Sequence, residues 1–213
     1  MDKIFSTLME RLNERQLTPY YAETKEDAVN TVISIIEASR EEKGVAKEEM
    51  QISFGGSRTL SDIDIYSAIK EYNVLDPYAL PTPAQQKEAK RRALLSDIFL
   101  MSANAICESG EIVNIDGNGN RLGALLCGPD KIIMVIGKNK IVKDKAEAMV
   151  RIKSVACVKN AIRLSRKTPC AEKGKCESCL IHGQTICAHT VYTRFSTVVG
   201  RINVILVNED LGF

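Results

Sequence analysis

The stretch MQISFGGSRTL, residues 50–60, decides how this chain is to be read. Its first five residues alternate apolar and polar side chains, as a short strand does, and two glycines follow directly. Ser57 and Thr59 then supply hydroxyls of the kind that cap helices. A strand that runs through glycines toward a helix is the unit from which parallel sheets are assembled. Gly55 and Gly56 let a backbone approach closely, and the N–H groups at a helix start attract an anion such as phosphate or carboxylate. Arg58 adds a guanidinium suited to a bidentate contact. The plainer alternative is a tight turn in which Ser57 or Thr59 only caps the helix.

Working outward, helix and strand signals alternate. Residues 2–15 read as an amphipathic helix ended by the breaker Thr18-Pro19. Thr24 and Asp27 form a capping-box pattern before a helix with Val29, Val32, Ile33 and Ile36 on one face, and Gly44 closes it. Downstream of the glycines a helix is expected over 61–71, starting at Ser61, and NVLD (73–76) reads as a strand. Thr82-Pro83-Ala84-Gln85 is a strong helix start, with Pro at the first helical position. That helix reaches about Ser96 and delivers the chain into DIFLMSANAI. EIVNI (111–115), IIMVI (132–136) and INVILV (202–207) are short Ile/Val-rich runs of the kind found in buried strands. Asp144 and Glu147 cap a helix over 145–163. The fold class expected is α/β, a three-layer αβα arrangement with a mostly parallel sheet and some antiparallel strand. A single domain over 1–213 is expected, without internal repeat or linker.

The bulk properties exclude several classes. Of 213 residues 45% are hydrophobic and 26% charged, which is a folded globular composition rather than a disordered one. With 29 basic against 27 acidic residues the net charge is +2, and the densest basic run, KEAKRR (87–92), reads as a solvated helix face. Nucleic-acid binding is not expected. The first sixteen residues carry charges throughout and lack a signal-peptide core, and no apolar run is long enough to span a bilayer. A cytoplasmic, membrane-free location follows as the expectation, in which clustered cysteines suggest metal or redox chemistry before disulfides.

The segment SANAICESGEIVNIDGNGNRLGALLCGP (102–129) gathers polar groups after strands. In open parallel sheets, ligands bind outside the carboxyl ends of the strands. Asn104, Glu108, Asn120 and Arg121 are therefore placed near a ligand, with Asp116-Gly117 and Asn118-Gly119 as the turn of a hairpin. In GKNKIVKD (137–144), Lys140 is a candidate counter-charge for an anion, against the commoner outcome that such a lysine is exposed. GNGNRLG (117–123) lacks the GxGxxG spacing and is not expected in a strand–turn–helix context, so no nicotinamide or flavin motif is assigned. Cys107 beside Glu108 is a poor thiolate site, and Cys157 reads as a small buried hydrophobe.

Four of the seven cysteines lie in TPCAEKGKCESCLIHGQTIC (168–187). Cys170, Cys176, Cys179 and Cys187 are spaced C-x5-C-x2-C-x7-C, and a central C-x2-C can chelate one metal from a tight turn. Zinc and an iron–sulfur cluster both match this ligand count, though the spacing is neither ferredoxin pattern. His182 or His189 could replace one thiol; the alternative is a loop of reduced thiols. Residues 164–195 form a Cys-rich loop long enough to suggest a role or an internal staple.

Taken together, FGGSRTL, SANAICESGEIVNIDGNGNR, GPDKIIMVIGKNKIV, TPCAEKGKCESC and GRINVILVNEDLGF resemble the lactate-utilisation (LUD) domain family over about residues 10–213. The resemblance implies the fold shared by ribose-phosphate isomerases, glucosamine-phosphate deaminases and CoA transferases. It also implies association with bacterial oxidation of lactate to pyruvate, in which LUD subunits accompany iron–sulfur partners. The isomerases carry an aspartate where this chain has Asn104, and an amide cannot exchange a proton as a carboxylate does. A transferase would need a nucleophilic carboxylate, for which Glu108 is the nearest candidate. The function expected is binding of a small anionic metabolite at Gly55, Gly56, Ser57, Arg58, Asn104, Asn120, Arg121 and Lys140, with metal at the four cysteines. The alternatives are an isomerase- or transferase-like enzyme acting through Glu108, and an interaction subunit of an iron–sulfur oxidoreductase. A homo-oligomer is compatible with each.

Overall fold

A computed structural model describes residues 2–213; Met1, included in the expected domain, lies outside the described residues. The strands are β1 (Thr18–Ala22), β2 (Gln51–Phe54), β3 (Asn73–Leu75), β4 (Ile98–Met101), β5 (Ala105–Cys107), β6 (Ile112–Asp116), β7 (Lys131–Gly137), β8 (Ile141–Val142), β9 (His189–Thr193) and β10 (Ile202–Val207). The helices are α1 (Lys3–Glu14), α2 (Lys25–Lys43), α3 (Arg58–Asp62), α4 (Ile65–Ala68), α5 (Pro83–Arg92), α6 (Asn120–Leu126), α7 (Lys145–Arg151), α8 (Cys157–Arg163) and α9 (Pro169–Lys173).

The main sheet has the order β1-β10-β7-β4-β2-β3, and every neighbouring pair is parallel. Its central strands β4, β7 and β10 are buried at all but one position and mostly apolar, because both faces are covered. In β7, Ile133 and Val135 join a core beneath α2, α3 and α4, while Ile132, Met134 and Ile136 join the opposite core with α1 and α6. Phe99 and Met101 of β4 face the second core, and Ile98 and Leu100 the first. This is the expected three-layer αβα arrangement. The antiparallel strands belong to a separate sheet, β8-β5-β6-β9, whose outer core packs on α7 and α8.

The capping box at Thr24 and Asp27 and the left-handed Gly44 bound α2 as expected. Four expectations are corrected. Thr18-Pro19 does not only break a helix; it opens β1, an edge strand, where a residue without an N–H is tolerated. The helix expected over 61–71 is two short ones, because α3 starts at Arg58 under a Ser57 cap and the chain turns left-handed at Asp64. Asp116–Gly119 does not close a hairpin but leads from β6 into α6, so GNGNRLG does sit between a strand and a helix. Its glycines still lack the dinucleotide spacing. The 164–195 loop contains α9 and the whole of β9, which pairs with β6.

The helix expected over 145–163 is continuous but interrupted by a π turn at Ile152–Ala156. Ala148, Ile152 and Cys157, which join the core of the second sheet, therefore step by four and then by five along the chain. The wider second step keeps all three on that face.

Candidate functional site

The carboxyl ends of β2, β4, β7 and β10 meet around one amine. Lys140 ends the short 3-10 turn that follows β7, and it is only 3% exposed. The expectation that it would more often be exposed is corrected: its side chain is enclosed by the protein rather than reaching into solvent. Nζ donates to Thr59 Oγ1 at 2.7 Å and to Ser102 Oγ at 2.9 Å. Burial, then the charges of Arg151 and Arg121, pull its pKa down from 10.5 to about 7, against the pull of Asp62. Among the described residues it forms no ion pair.

The glycine loop leaves β2 at the same carboxyl edge of the sheet. Gly55 N still donates to Leu100 O, prolonging the β2–β4 pairing by one residue. A side chain at Gly55 would overlap the stem of Arg121, which lies across it, so glycine is required there. Gly56 N donates to the hydroxyl of Tyr78 at 2.7 Å, so a side-chain oxygen occupies a donor that an anion would use. Ser57 Oγ accepts from Leu60 N and caps α3, which is the plainer of its two readings. Arg58 turns back to Asp62 at 2.6 Å and is half exposed.

The segment after β10 packs over this amine. Leu211 N donates to Asn139 Oδ1 at 3.2 Å and Gly212 N to Asp62 Oδ2 at 2.9 Å. Gly137 permits this approach, since a Cβ there would lie 2.6 Å from Leu211 N and 2.8 Å from Glu209 O.

Of the remaining candidates Arg121 lies against the glycine loop, and the others are spread out. Arg121 is mostly buried and committed, with Nε on Asp116 Oδ2 at 2.8 Å and a second nitrogen on Ile115 O at 2.6 Å. Asp116 also accepts from the N–H groups of Asn118 and Gly119, the turn chemistry expected of it. Asn104 Oδ1 accepts from Ile115 N, and its carbonyl holds Arg151 at 2.6 Å, so it braces the second sheet. Asn120 lines a different cavity of about 540 Å³ with Lys87, Lys90 and Arg91. Glu108 is exposed in a shallow depression with Lys138 and Lys143, and none of the glycine-loop residues lines it. Ser102 and Tyr78 escaped the sequence reading, and Thr59 entered it only as a helix cap; the hydroxyl directly after β4 was the available signal for Ser102.

In the cysteine loop, Cys170 is buried and Cys176, Cys179 and Cys187 are half-buried. Cys170 Sγ lies 3.2 Å from Thr168 Oγ1, and Cys179 Sγ lies 3.8 Å from Thr185 Oγ1. Cys187 packs into the core of the second sheet with Cys157, and their contact pulls the Cys187 thiol below, and pushes the Cys157 thiol above, the usual range. Cys157 is thus a neighbour of the loop as well as a core residue. His182 and His189 are exposed. Among the described residues, no three His, Cys, Asp or Glu side chains are gathered as a metal-ligand set. Buried Cys107 is raised to about 11, by burial first and then by Glu111 and Asp144, as suits an inert thiol.

Among the described residues no helix is long and apolar enough to cross a membrane. A family model described as LUD domain matches residues 6–207. No curated protein matches the chain. A crystal structure of a DUF162 family protein from Deinococcus radiodurans is similar at 15% identity and a TM-score of 0.48, with 97% of each chain covered. A likeness of that size carries no argument.

Proposed function

The chain belongs to the LUD domain family, and from that premise we propose that it binds a small anionic metabolite of lactate-type organic-acid metabolism. The binding place proposed is the carboxyl edge of the main sheet, where Lys140 meets Thr59 and Ser102 and the Gly55–Gly56 loop leaves β2. One observation carries the reading: a lysine amine is buried at the strand ends with hydroxyl partners and, among the described residues, no ion pair. Burying an amine is costly, and a bound carboxylate would supply the missing charge. Gly56 N adds a donor once Tyr78 gives way.

The test is a thermal melt with lactate and with pyruvate, on the native protein and on Lys140→Met. Either acid should raise the melting temperature of the native protein and leave the variant unmoved. No response of the native protein to either would overturn the reading.

A metal or iron–sulfur cluster at Cys170, Cys176, Cys179 and Cys187 belongs to the same proposal. Four thiols on one loop support it; the side chains as they stand are not drawn together, so binding would require the loop to close. Metal analysis of anaerobically purified protein decides it, with one zinc or stoichiometric iron expected and metal-free protein overturning it. Exposed Leu180 and Ile181 on the same loop favour a second role for it, docking to an iron–sulfur partner subunit. Loss of co-purification on Leu180→Asp would support that role.

A further inference from the structure

The hydrogen bonds around Lys140 fix where its protons can go. Ser102 Oγ donates to Val135 O at 2.6 Å, and Thr59 Oγ1 turns toward Leu211 O at 3.4 Å. With their own protons directed at carbonyls, both hydroxyls accept from Nζ. A neutral amine has two N–H bonds and one lone pair, so two acceptors satisfy it and leave the lone pair unpartnered. An ammonium would carry a third proton into the same buried place. Asp62, the carboxylate whose charge reaches Lys140, is already held by Arg58 and by Gly212 N.

An amine that is buried, unpaired and left with a free lone pair is equipped for nucleophilic attack as well as for ion pairing. The geometry points to Lys140 as a nucleophile that condenses with the carbonyl carbon of a 2-oxo acid to form an imine. This deepens the anion-binding reading and rests on it. In the step, the Nζ lone pair forms a bond to the carbonyl carbon while the C=O π pair moves to oxygen. The two protons of the amine pass to that oxygen, which leaves as water as the C=N bond forms. No oxidant or reductant is consumed.

The acid, rather than a plain aldehyde, is selected by charge. Taking up one proton from solvent makes the imine a cation in a place where the described residues offer no free counter-ion, and the carboxylate of a 2-oxo acid lies one bond from the imine carbon. The ligand therefore brings its own neutralising charge. Entry requires Leu211–Phe213 to move aside, since the backbone of Gly212 lies against Thr59 and Nζ.

The experiment uses the purified full chain at about pH 7.5 with pyruvate, reduced by borohydride and mapped by peptide mass spectrometry. One reduced adduct per chain is expected on Lys140, saturable, at least about tenfold above any exposed lysine because far more of this amine is unprotonated. Lys140→Arg and Lys140→Met should both lose it, and a thermal melt of each shows that it folds. Adducts spread over exposed lysines in native protein and variants alike, or no adduct, overturn the proposal. Lactate, which has no carbonyl to condense, separates the two levels. A melt shifted by lactate without a pyruvate adduct removes the nucleophile and keeps the anion site; neither response removes both. An adduct without a lactate shift upholds the nucleophile and restricts the site to carbonyl acids.

Discussion

Replacing Lys140 by methionine should change the protein's stability with a sign that depends on pH. Folding lowers the pKa of this amine from 10.5 to about 7, a separation of about 3.5 pH units. Between those values the unfolded chain holds a proton that the folded chain has lost. Wild-type stability therefore rises with pH across that window, by about 1.4 kcal/mol per pH unit for a single proton. Below pH 7 the burial penalty is fully present, at about 5 kcal/mol as a ceiling; above pH 10.5 it is gone. Methionine fills a similar volume, carries no such penalty, and forfeits two hydrogen bonds worth about 1 kcal/mol each. Lys140→Met should then be the more stable protein at pH 7, by about 1–3 kcal/mol, and the less stable one near pH 10.5. Urea unfolding of both proteins at several pH values measures the difference, and titrations common to both cancel. A difference that does not vary with pH would refute the reasoning, because it would mean that Lys140 keeps its proton on folding.

Asp116→Ala should cost about 3 kcal/mol in urea unfolding, since it strands the mostly buried Arg121 and removes the cap over Asn118 and Gly119. Gly137→Ala should loosen the segment after β10, with stability down by about 1–3 kcal/mol and faster hydrogen exchange at Leu211 and Gly212. Tyr78→Phe keeps the ring but frees Gly56 N, so calorimetry should show lactate binding tightened about fivefold, while unchanged affinity would mean that the donor is not used.

The layered fold was legible because IIMVI, and VILV within INVILV, are apolar at consecutive positions, which only a strand covered on both faces requires. Pro19 hid β1, because a proline reads as a breaker unless the strand is known to lie at an edge. Asp116–Gly119 carried hairpin chemistry, yet the same Asx turn can start a helix, and tertiary packing chose the helix. The site was legible only in part. The glycine loop and Lys140 were visible as residues after strands, but the partners that bury Lys140 stand 81 and 38 residues away. Nothing local to GKNK announces Thr59 or Ser102. Asn104 and Arg121 were recognised as polar groups near strand ends, although hydrogen bonds to Ile115 commit both to the scaffold. Cys157 read as a core residue from its helical neighbours, and its contact with Cys187 depends on how the loop folds back.

The π turn between α7 and α8 carries one residue more than an α-helix needs at that point. Deleting a single residue from Ile152–Ala156 would let the helix close into regular α geometry with its backbone hydrogen bonds intact. Everything beyond would then rotate by about 100°. Cys157 would swing out of the second sheet's core and away from Cys187, and the bed that Val158 and Ala161 form for Cys170 would turn with it. The helix is therefore indifferent to its own length here while the cysteine loop is not. Insertions and deletions between Arg151 and Cys157 should be tolerated only in chains that have dispensed with the loop.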